Sequence, residues 1–273
     1  MSRLEGAFRR ARDEGRPALV AYLMAGDPNL EATEALAFAC ERGGADVLEL
    51  GIPFSDPIAD GPEIQRAGQR ALKAGTRPRD VIGLAARLRR KTDIPLVLMT
   101  YMNPVEAIGI GTFAQGTAAA GVDGVIVPDL SLEESEATRR ALDDRGVDHI
   151  QLVAPSTPDD RARDIGRASR GFLYVVARYG TTGTRSGLPE DLGIRIAALK
   201  KVTSLPLAIG FGVSSADHVR TLAGLRADGV VVGSAIVRKA ADDPSPDAVE
   251  RFVADLASGL RAPTSPALRG SSS

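Results

Sequence analysis

Eight short apolar runs, each followed by a longer stretch with helical spacing, constrain what this chain can fold into. The runs are Ala18 to Leu23, Val47 to Leu50, Leu96 to Thr100, Gly124 to Val127, His149 to Val153, Phe172 to Val176, Leu207 to Ile209 and Gly229 to Val232. Most are continuously apolar rather than alternating, as strands buried on both faces are. Between them the period changes. Ala32, Ala35, Leu36, Ala39 and Cys40 recur at helical spacing after the first run, and Val81, Leu84 and Leu88 do so after the second. Eight β-then-α units predict a single closed (β/α)8 TIM barrel. A doubly wound open sheet is the alternative, and usually has fewer strands. The 273 residues lie near the roughly 250 of such a barrel.

Leu4, Phe8 and Ala11 share one face of an extra helix before the first strand, placed to plug the bottom of the barrel. A short helix is expected after the eighth strand. No composition shift divides the chain, so residues 1–261 read as one barrel domain. Residues 262–273 are rich in Pro and Ser without periodicity and read as a disordered tail.

Charge and composition narrow the partners. A net charge of −1 argues against nucleic acid or a membrane surface. No apolar run reaches the roughly 18 residues of a membrane span, and the start Met-Ser-Arg-Leu-Glu lacks a signal-peptide core. The single Cys40 sits in an apolar stretch and reads as a buried thiol in a reducing compartment. The expectation is a cytoplasmic chain. His149 and His218, the only histidines, have no partner at metal-ligand spacing, so no metal is expected. There is no Gly-x-Gly-x-x-Gly after the first strand and no Walker loop, which argues against a nucleotide cofactor.

Barrel enzymes carry their chemistry at the C-terminal ends of the strands. There the second strand reads Val47-Leu48-Glu49-Leu50-Gly51. A carboxylate among apolar neighbours is costly to ionise, so burial favours the protonated acid and suits Glu49 to donate a proton. The following loop, Gly51 to Pro62, carries Asp56 and Asp60. Asp56-Pro57 reads as a turn or a cap. Asp60-Gly61-Pro62 reads equally as a helix start with Asp60 at the N-cap. The proximity of Glu49 favours a second role, an exposed and ionised Asp60 taking a proton while Glu49 gives one.

The seventh strand runs into Gly210-Phe211-Gly212-Val213-Ser214 and the eighth into Gly233-Ser234-Ala235. Glycines there let backbone amides approach an anion, and a helix beginning at Ser234 aims N–H groups at it. These are the positions where barrels often bind phosphate. After the sixth strand, Arg178 to Gly187 contains no aliphatic residue and reads as a surface loop suited to covering the site.

These residues together resemble the tryptophan synthase alpha chain family. The segment Leu48-Glu49-Leu50-Gly51-Ile52-Pro53-Phe54-Ser55-Asp56-Pro57-Ile58-Ala59-Asp60-Gly61-Pro62 carries the likeness most specifically. Ala25-Gly26-Asp27-Pro28, Tyr101-Met102-Asn103-Pro104, Gly180-Thr181-Thr182-Gly183, Gly210 to Ser214 and Gly233 to Val237 extend it over nearly the whole chain. The resemblance implies cleavage of indole-3-glycerol phosphate to indole and glyceraldehyde 3-phosphate. It implies no cofactor in this chain, and a pyridoxal-phosphate beta chain as partner in an αββα complex. A free-standing indole-glycerol-phosphate lyase is the alternative, and a barrel that only binds is a third reading, opposed by the intact acids. By resemblance, Glu49 protonates the indole carbon bearing the side chain and Asp60 takes up or stabilises the ring N–H proton. Tyr22 and Tyr174 lie near the substrate, and Thr182 meets the loop aspartate. Phe211, Leu98, Met99 and Ile126 line the indole pocket, while Gly183, Gly212, Gly233 and Ser234 hold the phosphate. Met24, Tyr179, Thr181 and Thr184-Arg185-Ser186 depart from the family pattern.

Overall fold

The computed structural model describes residues 2–177, 189, 191–210 and 212–260. Nine parallel strand segments form one sheet: Ala18–Met24 (β1), Val47–Gly51 (β2), Leu96–Met99 (β3), Gly124–Ile126 (β4), Asp148–Ile150 (β5), Leu152–Val153 (β6), Leu173–Val176 (β7), Leu207–Gly210 (β8) and Gly229–Val232 (β9). Their order is β5-β4-β3-β2-β1-β9-β8-β7-β6. The two ends of that order are halves of one stave, separated only by Gln151. The lower half pairs with β4 and the upper half with β7, so the ring closes through a single residue. The sequence predicts one strand from His149 to Val153. It is interrupted because the Gln151 N–H leaves the ladder for the Ser169 hydroxyl at 3.0 Å. The Gln151 carbonyl still accepts from the Tyr174 N–H at 3.0 Å. The architecture is therefore the expected eight-stave barrel.

Helices connect the staves: Arg3–Asp13 (α1), Leu30–Arg42 (α2), Pro62–Lys73 (α3), Pro78–Arg89 (α4), Met102–Ile108 (α5), Ile110–Ala119 (α6), Glu136–Asp143 (α7), Asp159–Ala168 (α8), Leu192–Val202 (α9), Ala216–Gly224 (α10), Ser234–Asp242 (α11) and Pro246–Ser258 (α12). Local chemistry sets their starts. Ser2 and Glu5 form a reciprocal capping box on α1, the Asn29 side chain caps α2, and Pro opens α3, α4 and α12. α11 supplies the helix expected after the last strand.

The strands sort their side chains with period two. Val20, Tyr22 and Met24 of β1, Val97 and Met99 of β3, Tyr174 of β7 and Val231 of β9 belong to a core inside the barrel. Leu19, Ala21 and Leu23 of β1, Leu48 and Leu50 of β2, and Leu96 and Leu98 of β3 belong to a larger core between barrel and helices. Each fully buried Leu or Val there contributes on the order of 1.5–3 kcal/mol. Leu98 thus faces the helices; of the neighbouring pair, Met99 is the one turned inward.

The bottom is sealed by α1, whose Leu4, Phe8 and Ala11 join the inner core. Gly229 leaves room for the Phe8 ring, because a Cβ there would lie 2.7 Å from it. Three aspartates fix the strand starts above this plug. Asp46 accepts the Leu19 N–H, Asp123 the Leu96 N–H and Asp228 the Leu207 N–H, each at 2.8–2.9 Å. Each also pairs with a cation: Arg16, Arg89 and Lys200, respectively. Two residues before each of these aspartates, and before Asp148, the chain takes a left-handed conformation. That position is Gly44, Gly121, Gly146 and, unlike the others, Arg226 (φ 62°).

Candidate active site

Glu49 sits near the upper end of β2, beside Tyr22 of β1 and Val97 of β3 in the strand register. It is 1 % exposed, and among the described residues neither carboxyl oxygen meets a hydrogen-bond partner. Buried side-chain acids are normally satisfied, so an orphan carboxyl is informative. Burial, aided by the charge of Asp60, pushes its pKa up to about 8. At neutral pH Glu49 is a protonated acid with a proton to give.

Asp60 is the end point of the loop leaving β2. Its N–H donates to the Pro57 carbonyl at 3.1 Å, and its own carbonyl accepts from the Gln65 amide at 2.9 Å. The N-cap of α3 is Gly61, with no side-chain cap, so Asp60 does not cap the helix. The residue is 8 % exposed, which corrects the expectation of a solvated loop aspartate. Burial raises its pKa to about 6, with the Tyr101 hydroxyl working in the opposite direction by stabilising the carboxylate. Asp60 is still the ionised member of the pair at neutral pH, because a neighbouring phenol and a partly open site retain its charge. Asp56, by contrast, is exposed and serves the turn, its carbonyl accepting the Ile58 N–H.

A cavity between these acids is lined by Tyr22, Glu49, Asp60, Gly61, Ile64, Met99, Tyr174, Gly212, Val213, Val231, Gly233 and Ser234. Two glycines make room for its tyrosines. A Cβ on Gly51 would lie 2.0 Å from the Tyr22 hydroxyl, and one on Gly210 would lie 2.4 Å from that of Tyr174. Burial, with the charges of both acids, lifts both phenols well above their usual pKa, so they stay neutral. On the opposite wall α11 begins at Ser234 from Gly233, with no side chain capping its first turn. Gly212 has φ +94° and open space where a Cβ would be. Free N–H groups at a helix start and a glycine with room beside it suit an anion.

Of the residues singled out in the sequence, Glu49, Asp60, Tyr22, Tyr174, Met99, Gly212, Gly233 and Ser234 meet around this cavity. Ile126 points into the inner core and Leu98 to the outer one. Thr182, Gly183, Phe211, Tyr179, Thr181, Thr184 and Arg185, with the run Arg178 to Gly187 and the tail from 262 to 273, lie outside the described residues. Met24 is buried and packs near Gly68 of α3. Tyr101 was legible only as part of a motif. Its phenol accepts the Ala59 N–H at 3.1 Å, stacks near Phe54 and steadies the Asp60 charge. The chain has four tyrosines, and three of them, Tyr22, Tyr101 and Tyr174, gather around the two acids.

His149 is buried at 1 % exposure beside Gln151, and burial holds its pKa down to about 4. Cys40 is buried, and burial pushes its thiol up to about 12. Among the described residues no group of three or more His, Cys, Asp or Glu could hold a metal ion. No described helix is long and apolar enough to cross a membrane.

Comparison with known proteins gives consistent likenesses. The sequence model of the family described as Tryptophan synthase alpha chain matches residues 8–260. The tryptophan synthase alpha chain of Solibacter usitatus (strain Ellin6076) is 47 % identical over 238 residues, covering 87 % of this chain and 89 % of that one. Among solved structures, Mycobacterium tuberculosis tryptophan synthase in space group F222 is 36 % identical with a TM-score of 0.88, over 96 % of this chain and 99 % of that one. A tryptophan synthase complex from Pyrococcus furiosus is 35 % identical with a TM-score of 0.82, over 89 % and 98 %.

Proposed function

The chain belongs to the tryptophan synthase alpha chain family, and from that premise we propose that Glu49 is the proton donor and Asp60 the proton acceptor of its reaction. It is a lyase that cleaves indole-3-glycerol phosphate to indole and glyceraldehyde 3-phosphate in tryptophan biosynthesis. What supports the assignment is the difference in environment: a carboxyl without hydrogen-bond partners beside a carboxylate steadied by a phenol.

The steps balance with these two groups alone. Glu49 protonates the indole carbon that bears the side chain, and Asp60 takes the ring N–H proton. The ring is now an imine and can receive an electron pair. The bond from ring to side chain breaks, its electrons restore the aromatic ring, and the nitrogen regains its proton from Asp60. The side-chain hydroxyl loses its proton to Glu49 and becomes the aldehyde. Both acids end as they began. Tyr22 and Tyr174 pack against the substrate and exclude water. The free amides around Gly212, Gly233 and Ser234, with Gly183, hold the phosphate. Thr182 and Phe211 complete the substrate's surroundings. Single-turnover cleavage by Glu49→Gln tests the assignment; a rate equal to the parent's would exclude Glu49 as the acid.

The likeness to tryptophan synthase complexes supports a beta-chain partner. In this reading two alpha chains flank two beta chains, indole passes to the beta chain in the cytoplasm, and pyridoxal phosphate belongs to that partner. Cleavage rates measured with and without a beta chain test it. A strong rise on addition is expected, and equal rates would favour a free-standing lyase.

A further inference from the structure

At the end of the barrel opposite the acids lies a second cleft, of about 830 Å³. It is walled by α1 with the turn after it and by the turns entering β7, β8 and β9. Its charges are unbalanced. Asp228 is engaged by the Leu207 N–H and by Lys200, and Arg16 by Asp46 and Glu14. Glu5 accepts the Ser2 N–H in the capping box. The side chains of Arg9, Arg12 and Arg226 remain exposed around the cleft, with no ion pair or side-chain hydrogen bond among the described residues.

Arg226 adds an independent observation. It occupies the left-handed position of a repeated turn that is otherwise Gly44, Gly121 and Gly146, and it is the one described non-glycine residue with positive φ. Glycine takes this conformation without steric cost and arginine does not. A cation close to the end of α10 does benefit from the helix dipole, but any residue of the last turn would supply that without the strained backbone. Strain retained at one copy of a repeat points to a use for the side chain.

We propose that this cleft binds a phosphorylated small molecule about the size of a nucleoside triphosphate. Three guanidinium forks that form no ion pair among the described residues outnumber the one unpaired carboxylate of the cleft, Glu5, and suit the multiple oxygens of a polyphosphate. Leu205 and Pro206 offer an apolar wall to the remainder of the ligand, and the volume lies within the roughly 300–1,000 Å³ of small-molecule sites.

Titration calorimetry of ATP without magnesium into the full chain tests this. Binding in the range of about 10–500 μM is expected at low salt, weakening several-fold at about 0.2 M salt. Arg226→Gly should weaken binding at least about tenfold, as loss of a charged hydrogen-bonding partner does, and so should a paired Arg9→Ala and Arg12→Ala substitution. Because glycine suits the turn, Arg226→Gly should also raise the ligand-free Tm, which shows that the variant is folded. Cleavage of indole-3-glycerol phosphate should be unchanged in these variants. ATP bound at the upper cavity instead would be indifferent to Arg226→Gly. That indifference, or no binding below about 5 mM, would overturn the proposal.

Discussion

At the lower end of the barrel Asp46, Asp123 and Asp228 each accept a strand N–H and pair with a cation; at the upper end Glu49 has no partner of either kind among the described residues. The lower acids hold strand starts in register, and their charges are matched. The upper acid is left unmatched, which destabilises its ionised form and raises its proton affinity. Carboxylates at the two ends of one scaffold thus differ in role because of what surrounds them. Stability is concentrated at one end and reactivity at the other.

The sharpest way to break this contrast is Glu49→Gln. Cleavage should fall by roughly 10³-fold, within the range of general acid–base catalysis, while the protein becomes more stable. The sign follows from linkage. The folded pKa of Glu49, about 8, lies above its unfolded value. Its contribution to stability is therefore full below about pH 4.5 and is lost as pH rises through about 8. The Tm advantage of Glu49→Gln should be near zero at the acid end and largest above pH 8. A Tm loss at pH 8 would show that Glu49 is a satisfied structural acid after all.

Asp123→Ala should do the reverse. Removing one member of a buried ion pair costs on the order of 3 kcal/mol, and Asp123 also holds the Leu96 N–H and meets Arg3. Urea denaturation should register this loss, with kcat of the folded fraction unchanged. Asp60→Asn is expected to lower cleavage roughly 10²-fold without a loss of Tm, since it does not cap α3, and with a gain in Tm above about pH 6, since burial raises its folded pKa as well. A large Tm loss would restore the capping role. Tyr101→Phe should have the smallest effect, about tenfold or less near neutrality.

The pH profile sharpens the assignment of roles. Cleavage needs Asp60 ionised and Glu49 protonated, so the rate should rise through about pH 6 and fall through about pH 8. Tyr101→Phe removes the group that favours the Asp60 carboxylate and should move the acid limb upward. Asp60→Asn removes the charge that helps to raise Glu49 and should move the basic limb downward. Limbs that stay in place in both variants would detach the acids from the reaction.

The barrel was legible because strands buried on both faces are continuously apolar and the intervening period switches to 3.6 residues. Glu49 was legible for the same reason, as a charge interrupting such a run. Other features depend on contacts between residues distant in sequence. The Asp60 carboxylate is steadied by Tyr101, 41 positions away in the chain, and nothing in Asp-Gly-Pro reveals it. The break at Gln151 arises from the Ser169 hydroxyl, and Leu98 and Met99 are told apart only once the strand's register is set. The repeated turn that isolates Arg226 is weak as a pattern, since its meaning lies in a backbone angle.

The clustering of three tyrosines around the acids, in a chain with no tryptophan, has an optical consequence. Light absorbed by the protein's phenols is collected largely at the site where an indole ring is bound and released. Tyrosine emission overlaps indole absorption, so an occupied cavity should quench the phenols and make the ring glow in their place. Red-edge excitation, where tyrosine is dark, should see the ring alone. The unlabelled protein would then report its own turnover, with the substrate, the product and the emptied cavity each carrying a distinct spectrum.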